Sequence, residues 1–128
     1  MSKPNILYIM CDQFRYDCIA SLGNKEVRTP NIDRLVRRGI AFENAYSTCP
    51  VCVPARYTLR TGCEPAVTGC YQNEAPEAMD GLPDNMKERC GDYLASVMRK
   101  EGYYTFGIGK FHTSPDFKED LGYDLQMN

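Results

Sequence analysis

The stretch that most constrains this chain is Asn5-Ile6-Leu7-Tyr8-Ile9-Met10, a continuous apolar run closed off by Pro4 on one side and Asp12 on the other. It is far shorter than the ~20 residues a membrane helix needs. It does not alternate, so it does not suit a strand with one wet face. A run of this kind reads as a strand buried on both faces, which is the habit of parallel sheets covered by helices. The chain therefore has to supply helices between further strands.

Downstream segments fit that demand. Residues 29–39, TPNIDRLVRRG, read as a helix: Thr29 caps, Pro30 suits the first helical position, Gly39 ends it, and Ile32, Leu35 and Val36 form the apolar stripe. Residues 40–47 read as a second strand. A short helix is expected from about Pro54 to Arg60, closed by Gly62. Residues 71–85 are acidic, aperiodic and rich in Pro and Gly, which predicts a loop bordering the site. Residues 87–102 read as a helix with Tyr93, Leu94, Val97 and Met98 inward and Gly102 as its stop, followed by a strand over 103–109. Strand, helix, strand, helix, helix, strand implies an α/β fold, a mostly parallel sheet flanked by helices with right-handed crossovers. In such sheets ligands sit beyond the carboxyl ends of the strands. Asp12, Cys52, Lys110 and His112 all fall at or soon after predicted strand ends, and are expected to cluster at one edge.

Composition excludes some classes. With 128 residues, 43% apolar, the chain suits one domain with no internal boundary. A net charge of −2 with mixed signs gives no basic stripe for nucleic acid, and no segment is long and apolar enough for a membrane span. The start has no strong basic region and no cleavage site, so a cytoplasmic protein is expected, an exported parent remaining the alternative. Seven cysteines, at 11, 18, 49, 52, 63, 70 and 90, are an odd number, and thiols rather than disulfides are the default here.

Each candidate group has a plain reading beside a chemical one. Asp12 can cap a turn or offer a hard oxygen to Ca2+ or Mg2+. Arg56 can be a solvated helix residue or a planar fork for an oxyanion. His112 is the single histidine; strand alternation would place it on the same face as Lys110, a cationic pair suited to an anionic substrate. Cys49 and Cys52 form a C-x-x-C pair, but a zinc site needs four ligands and no second pair with suitable spacing exists. A redox motif would open a helix directly, whereas prolines interrupt this one.

Cys52-Val53-Pro54-Ala55-Arg56 followed by Thr61-Gly62 resembles the signature of the type I sulfatases, in the alkaline phosphatase-like superfamily. Residues 4–13, PNILYIMCDQ, are similar to that family's first strand with its metal-binding acid. Residues 29–56 are similar throughout, and Gly102-Tyr103-Tyr104-Thr105 with Gly109-Lys110-Phe111-His112 resembles its downstream segment. The likeness covers nearly the whole chain and implies the N-terminal portion of a sulfatase catalytic domain. It implies that Cys52 is oxidised by a formylglycine-generating maturation enzyme to an aldehyde that hydrates to a gem-diol. One hydroxyl attacks sulfur; the other then expels sulfate, which a serine or cysteine could not do without water. It further implies a divalent cation, Ca2+ with Mg2+ or Mn2+ as alternatives, held by Asp12, Gln13 and the modified Cys52. Arg56 would steady the formylglycine, Lys110 bind sulfate and leaving-group oxygens, and His112 orient or deprotonate the diol. Three features depart from the family pattern. Asp12-Gln13 stands where many members carry two acids, as in relatives that hydrolyse phosphonate or phosphate esters. Phe111 replaces a tryptophan. The chain ends at Asn128, where members run to several hundred residues. The expectations are a sulfate ester hydrolase, or a phosphonate or phosphate monoester hydrolase of the same superfamily, or a non-catalytic fragment. The short chain is expected to be inactive alone, to bind cations weakly and to self-associate.

Overall fold

A computed structural model describes residues 3–73, 86–112 and 120–127. The chain divides into two compact units, Met1–Tyr46 and Ser47–Asn128.

In the first unit, 3-10 turns cover Tyr16–Cys18 and Ala20–Leu22, and helix α1 runs from Pro30 to Arg38. The predicted boundaries of α1 hold: Pro30 opens it, where a missing N–H costs nothing, and the Gly39 amide closes it on the Leu35 carbonyl at 2.8 Å. Thr29 does not cap the helix with its side chain. Its hydroxyl instead donates to Asp33 Oδ1 at 2.8 Å and accepts from the Ala20 amide at 2.9 Å, which ties the 3-10 turns to the first turn of α1. The Ser21 amide reaches the same Asp33 oxygen at 3.0 Å. The Thr29 hydroxyl leads the influences that hold the Asp33 carboxyl below the usual carboxylate range. The expected apolar stripe is only partly covered, for Leu35 is exposed while Ile32 and Val36 are half-buried.

Two predicted strands do not form. No strand is assigned at 5–10 or 40–47, and Leu7, Ile9, Ile40 and Phe42 are exposed. A strand exists through its neighbour's hydrogen bonds. Among the described residues of this unit no such neighbour lies beside either run. The apolar pattern at 5–10 therefore records a burial that this unit does not itself provide.

In the second unit, α2 (Cys52–Thr61), α3 (Pro65–Thr68), α4 (Met86–Cys90) and α5 (Leu94–Lys100) lead to β1 (Phe106–Ile108), which pairs in parallel with β2 (Leu125–Met127), Phe106 opposite Leu125. The predicted helix over 87–102 is two pieces, because Gly91 turns the chain left-handed (φ 75°) after α4. The α5 face matches expectation at Tyr93 and differs at Leu94 and Val97. Tyr93 and Ala95 are buried while Leu94 and Val97 are exposed. Part of the predicted loop, 74–85, lies outside the described residues. The core joins Val53 and Tyr57 of α2 to Cys70, Tyr93, Phe111 and Leu121. Asp124 fastens the two strands at their start: its Oδ2 accepts from the Thr105 amide at 2.7 Å and hydroxyl at 2.9 Å, and its Oδ1 lies 3.1 Å from Arg99 Nε. The Thr105 amide leads the influences that hold the Asp124 carboxyl low.

Candidate active site

Helix α2 begins at Cys52 itself. Val51 before it is extended, and Pro54 falls within the first turn, where the backbone amides have no helical partner and none is lost. The Val53 amide is met from twenty residues away by the Asn73 side-chain oxygen at 2.8 Å. Gly62, left-handed at φ 70°, ends the helix on the Thr58 carbonyl. Residues four apart share a helix face, so Cys52, Arg56 and Arg60 run down one side of α2.

That side is cationic and dry. Arg56 and Arg60 are 6% and 8% exposed, and among the described residues they are the only buried charged side chains. Two guanidinium groups on one helix face concentrate positive charge there. Lys110, exposed on the loop after β1, places its Nζ 4.0 Å from Cys52 Sγ. The structure thus brings Cys52 and Lys110 together across 58 residues of sequence, as expected, with Arg56 one turn below the thiol.

His112 follows two residues later, half-buried, but not in the predicted manner. β1 ends at Ile108, Gly109 turns left-handed at φ 99°, and His112 itself has φ 50°. Strand alternation therefore does not relate Lys110 to His112. A left-handed backbone at a residue other than glycine costs of order 1–3 kcal/mol and persists where the surroundings over-determine it. Here the buried Phe111 ring packs edge-to-face on Tyr123 with centroids 5.5 Å apart, and the Phe111 carbonyl accepts a hydrogen bond from Arg60. Among the described residues, Gln13 (φ 51°) is the one other non-glycine residue with this backbone. Both left-handed residues are candidates picked from the sequence.

Asp12 and Gln13 belong to the first unit, exposed on a turn. One carboxylate and one amide oxygen do not make the six to eight oxygens Ca2+ takes. Among the described residues no three His, Cys, Asp or Glu side chains converge to hold a metal. The described residues do not make up a complete cation site.

Two of the remaining thiols, Cys70 and Cys90, are held in their protonated form by burial. The described residues include all seven cysteines, and no disulfide joins any of them. Cys49 Sγ approaches the Tyr71 carbonyl at 3.8 Å. Burial, with Cys49 nearby, pushes the Cys70 thiol up to about 11; burial, with Cys63 nearby, pushes Cys90 up to about 11. Such thiols stay protonated and inert. Arg60 is the site-adjacent residue that sequence reasoning missed, although its place two turns after Cys52, on the face of Arg56, was a usable signal.

Comparison with known proteins identifies the family. The Sulfatase family model matches residues 4–126. The chain is 36% identical over 114 residues to an arylsulfatase of Clostridium perfringens, covering 89% of this chain and 22% of that protein. It is 39% identical over 111 residues to an ulvan-active sulfatase of Formosa agariphila, covering 87% and 20%. In structure it superposes on a 2-O GAG sulfatase with a TM-score of 0.78 at 29% identity, covering 98% of this chain and 26% of that one. The chain thus spans about a fifth to a quarter of the relatives it matches, with the fold class expected from its sequence even though the sheet among the described residues is two short strands. With a family match over nearly its whole length, the chain belongs to the sulfatase family.

Proposed function

We propose that the protein this chain contributes to hydrolyses sulfate esters, with a formylglycine made from Cys52 by a maturation enzyme. The observation that carries this is the placement of Cys52, first residue of α2 in the Cys-x-Pro-x-Arg sequence, with Lys110 Nζ 4.0 Å from its sulfur. Formylglycine, once formed and hydrated, supplies one hydroxyl to attack sulfur and a second whose deprotonation releases sulfate.

The chain's own side chains do the rest. Lys110 places a point charge beside residue 52, where it binds a sulfate oxygen and steadies charge developing on the leaving oxygen. Arg56, buried one turn below, holds the positive potential that draws the ester's anionic group. His112 orients a hydroxyl on residue 52 and takes its proton on an imidazole nitrogen. Asp12 and Gln13 are proposed as part of the donor set of a divalent cation. The 128-residue chain by itself is proposed to lack useful turnover.

The experiment uses the full-length parent co-expressed with a formylglycine-generating enzyme. The tryptic peptide bearing residue 52 should lose about 18 Da, the atom balance for thiol to aldehyde. Aryl sulfate hydrolysis should follow modification, vanish in Cys52→Ala and fall roughly 10²–10³-fold in Lys110→Met. Turnover that survives Cys52→Ala would overturn the proposal. Preference for an aryl phosphonate would transfer the protein to the phosphonate hydrolase reading that Asp12-Gln13 favours.

A further inference from the structure

We propose that Arg60 is a positioning residue of this site: through the Phe111 carbonyl it holds the Lys110–His112 segment against the helix that carries Cys52. The inference rests on the reading of Cys52 and Lys110 as reaction partners.

Arg60 lies two turns along α2 from Cys52 and is nearly fully buried. A buried guanidinium needs partners of suitable chemistry. One Arg60 nitrogen donates to the Phe111 carbonyl. The guanidinium carbon also lies 5.8 Å from the Tyr57 ring centroid and 5.9 Å from that of Phe111, within range of a cation–π contact with each. The carbonyl it grips belongs to the peptide that joins Phe111 to His112. Gripping it fixes the plane from which the left-handed His112 departs, and fixes Lys110 one residue upstream.

The segment needs such an anchor. Gly109 still bonds the Met127 carbonyl through its amide at 2.8 Å, and residues 110–112 lie beyond that last sheet hydrogen bond, between left-handed backbone at Gly109 and at His112. The Phe111 ring, packed on Tyr123, restrains the side chain rather than the peptide plane. The Arg60 hydrogen bond acts on the peptide plane directly. One helix thereby carries the reacting position at its first turn and the anchor of the opposing cationic loop at its third.

The test reads geometry and requires no turnover. In the 128-residue protein with Cys52 as a thiol, a short amine–thiol cross-linker joins Lys110 to Cys52, and peptide mapping gives the yield. Because His112 is the only histidine, its imidazole signals report the loop without assignment. Arg60→Met keeps the stem and removes the donors; it should lower the Cys52–Lys110 yield roughly tenfold or more and shift the His112 signals, with helical circular dichroism retained. Arg60→Lys, which restores one donor, should recover much of both. Wild-type yield and signals in Arg60→Met would overturn the proposal. So would a loss that Arg60→Lys fails to restore, since packing alone would then explain it, or the unfolding of both variants, which would make Arg60 a core residue only. If the parent shows no sulfatase activity while these readouts follow Arg60, the functional reading fails and the positioning role stands.

Discussion

Replacing Gly107 with alanine isolates the packing that supports the Lys110 loop. Gly107 is the middle residue of β1, and its backbone is not left-handed, so alanine meets no conformational penalty there. It should even gain about 0.5–1 kcal/mol from the lower chain entropy of the unfolded state. The cost is steric. A Cβ at Gly107 would stand 2.7 and 2.9 Å from two atoms of the Phe111 ring and 3.1 Å from the Tyr123 ring. Neither ring can yield freely, since the two pack against each other and Phe111 is only 8% exposed. Overpacking of this kind typically costs 1–3 kcal/mol. The net expectation is a loss of about 1–2 kcal/mol, which is roughly 4–16 °C in Tm for a unit of this size. Thermal and urea unfolding measure it. Gly109→Ala is the control, for its Cβ would meet open space and its penalty comes from φ 99° alone. Phe111→Leu should relieve the clash, so Gly107→Ala should cost less in that background, a coupling of about 1 kcal/mol in a double-mutant cycle. An additive cycle, or a Gly107→Ala protein as stable as wild type, would refute the steric reasoning.

Gly122→Ala should be worse, at least about 3 kcal/mol by thermal unfolding, because a left-handed backbone (φ 83°) combines with a Cβ 2.7 Å from the Ser96 amide nitrogen. Raising the pH should weaken the second unit in a defined window. Cys70 and Cys90 have folded values near 11 against an ordinary 9.0, so their contribution is intact below pH 9 and lost as pH climbs toward 11. For fully buried Cys70 that loss reaches up to about 3 kcal/mol, and urea midpoints across this range should fall less steeply in Cys70→Ala. Acid acts in the opposite sense. Asp124 is held low by Thr105, so its contribution is present above the unfolded carboxylate value near 3.8 and lost as pH falls through the lower folded one. Asp124→Asn should flatten the acid limb of the stability profile.

Elements with local punctuation were legible in the sequence. Pro30 and Gly39 bound α1 correctly, and Gly62 closed α2, because a missing amide or a left-handed turn acts on its own neighbours. Gly91 carried the same information and was passed over inside an apparently continuous pattern. The runs at 5–10 and 40–47 failed for another reason: an apolar pattern specifies burial, and burial depends on a partner that local sequence does not name. In the site, Arg56 was legible by its four-residue spacing from Cys52 and by the signature they share. The Asn73 contact to the Val53 amide was not, since nothing local links residues twenty apart. Arg60 was overlooked because arginine is ordinarily a surface residue.

The left-handed backbone at His112 bears on how its chemistry can be interrogated. Alanine at that position removes the imidazole and also opposes φ 50°, so a deficit in His112→Ala mixes lost proton transfer with a displaced main chain. Asparagine tolerates this conformation as histidine does, yet carries no group that titrates near neutrality. His112→Asn is therefore the isogeometric probe, and the difference between the two variants separates the backbone contribution from the acid–base one.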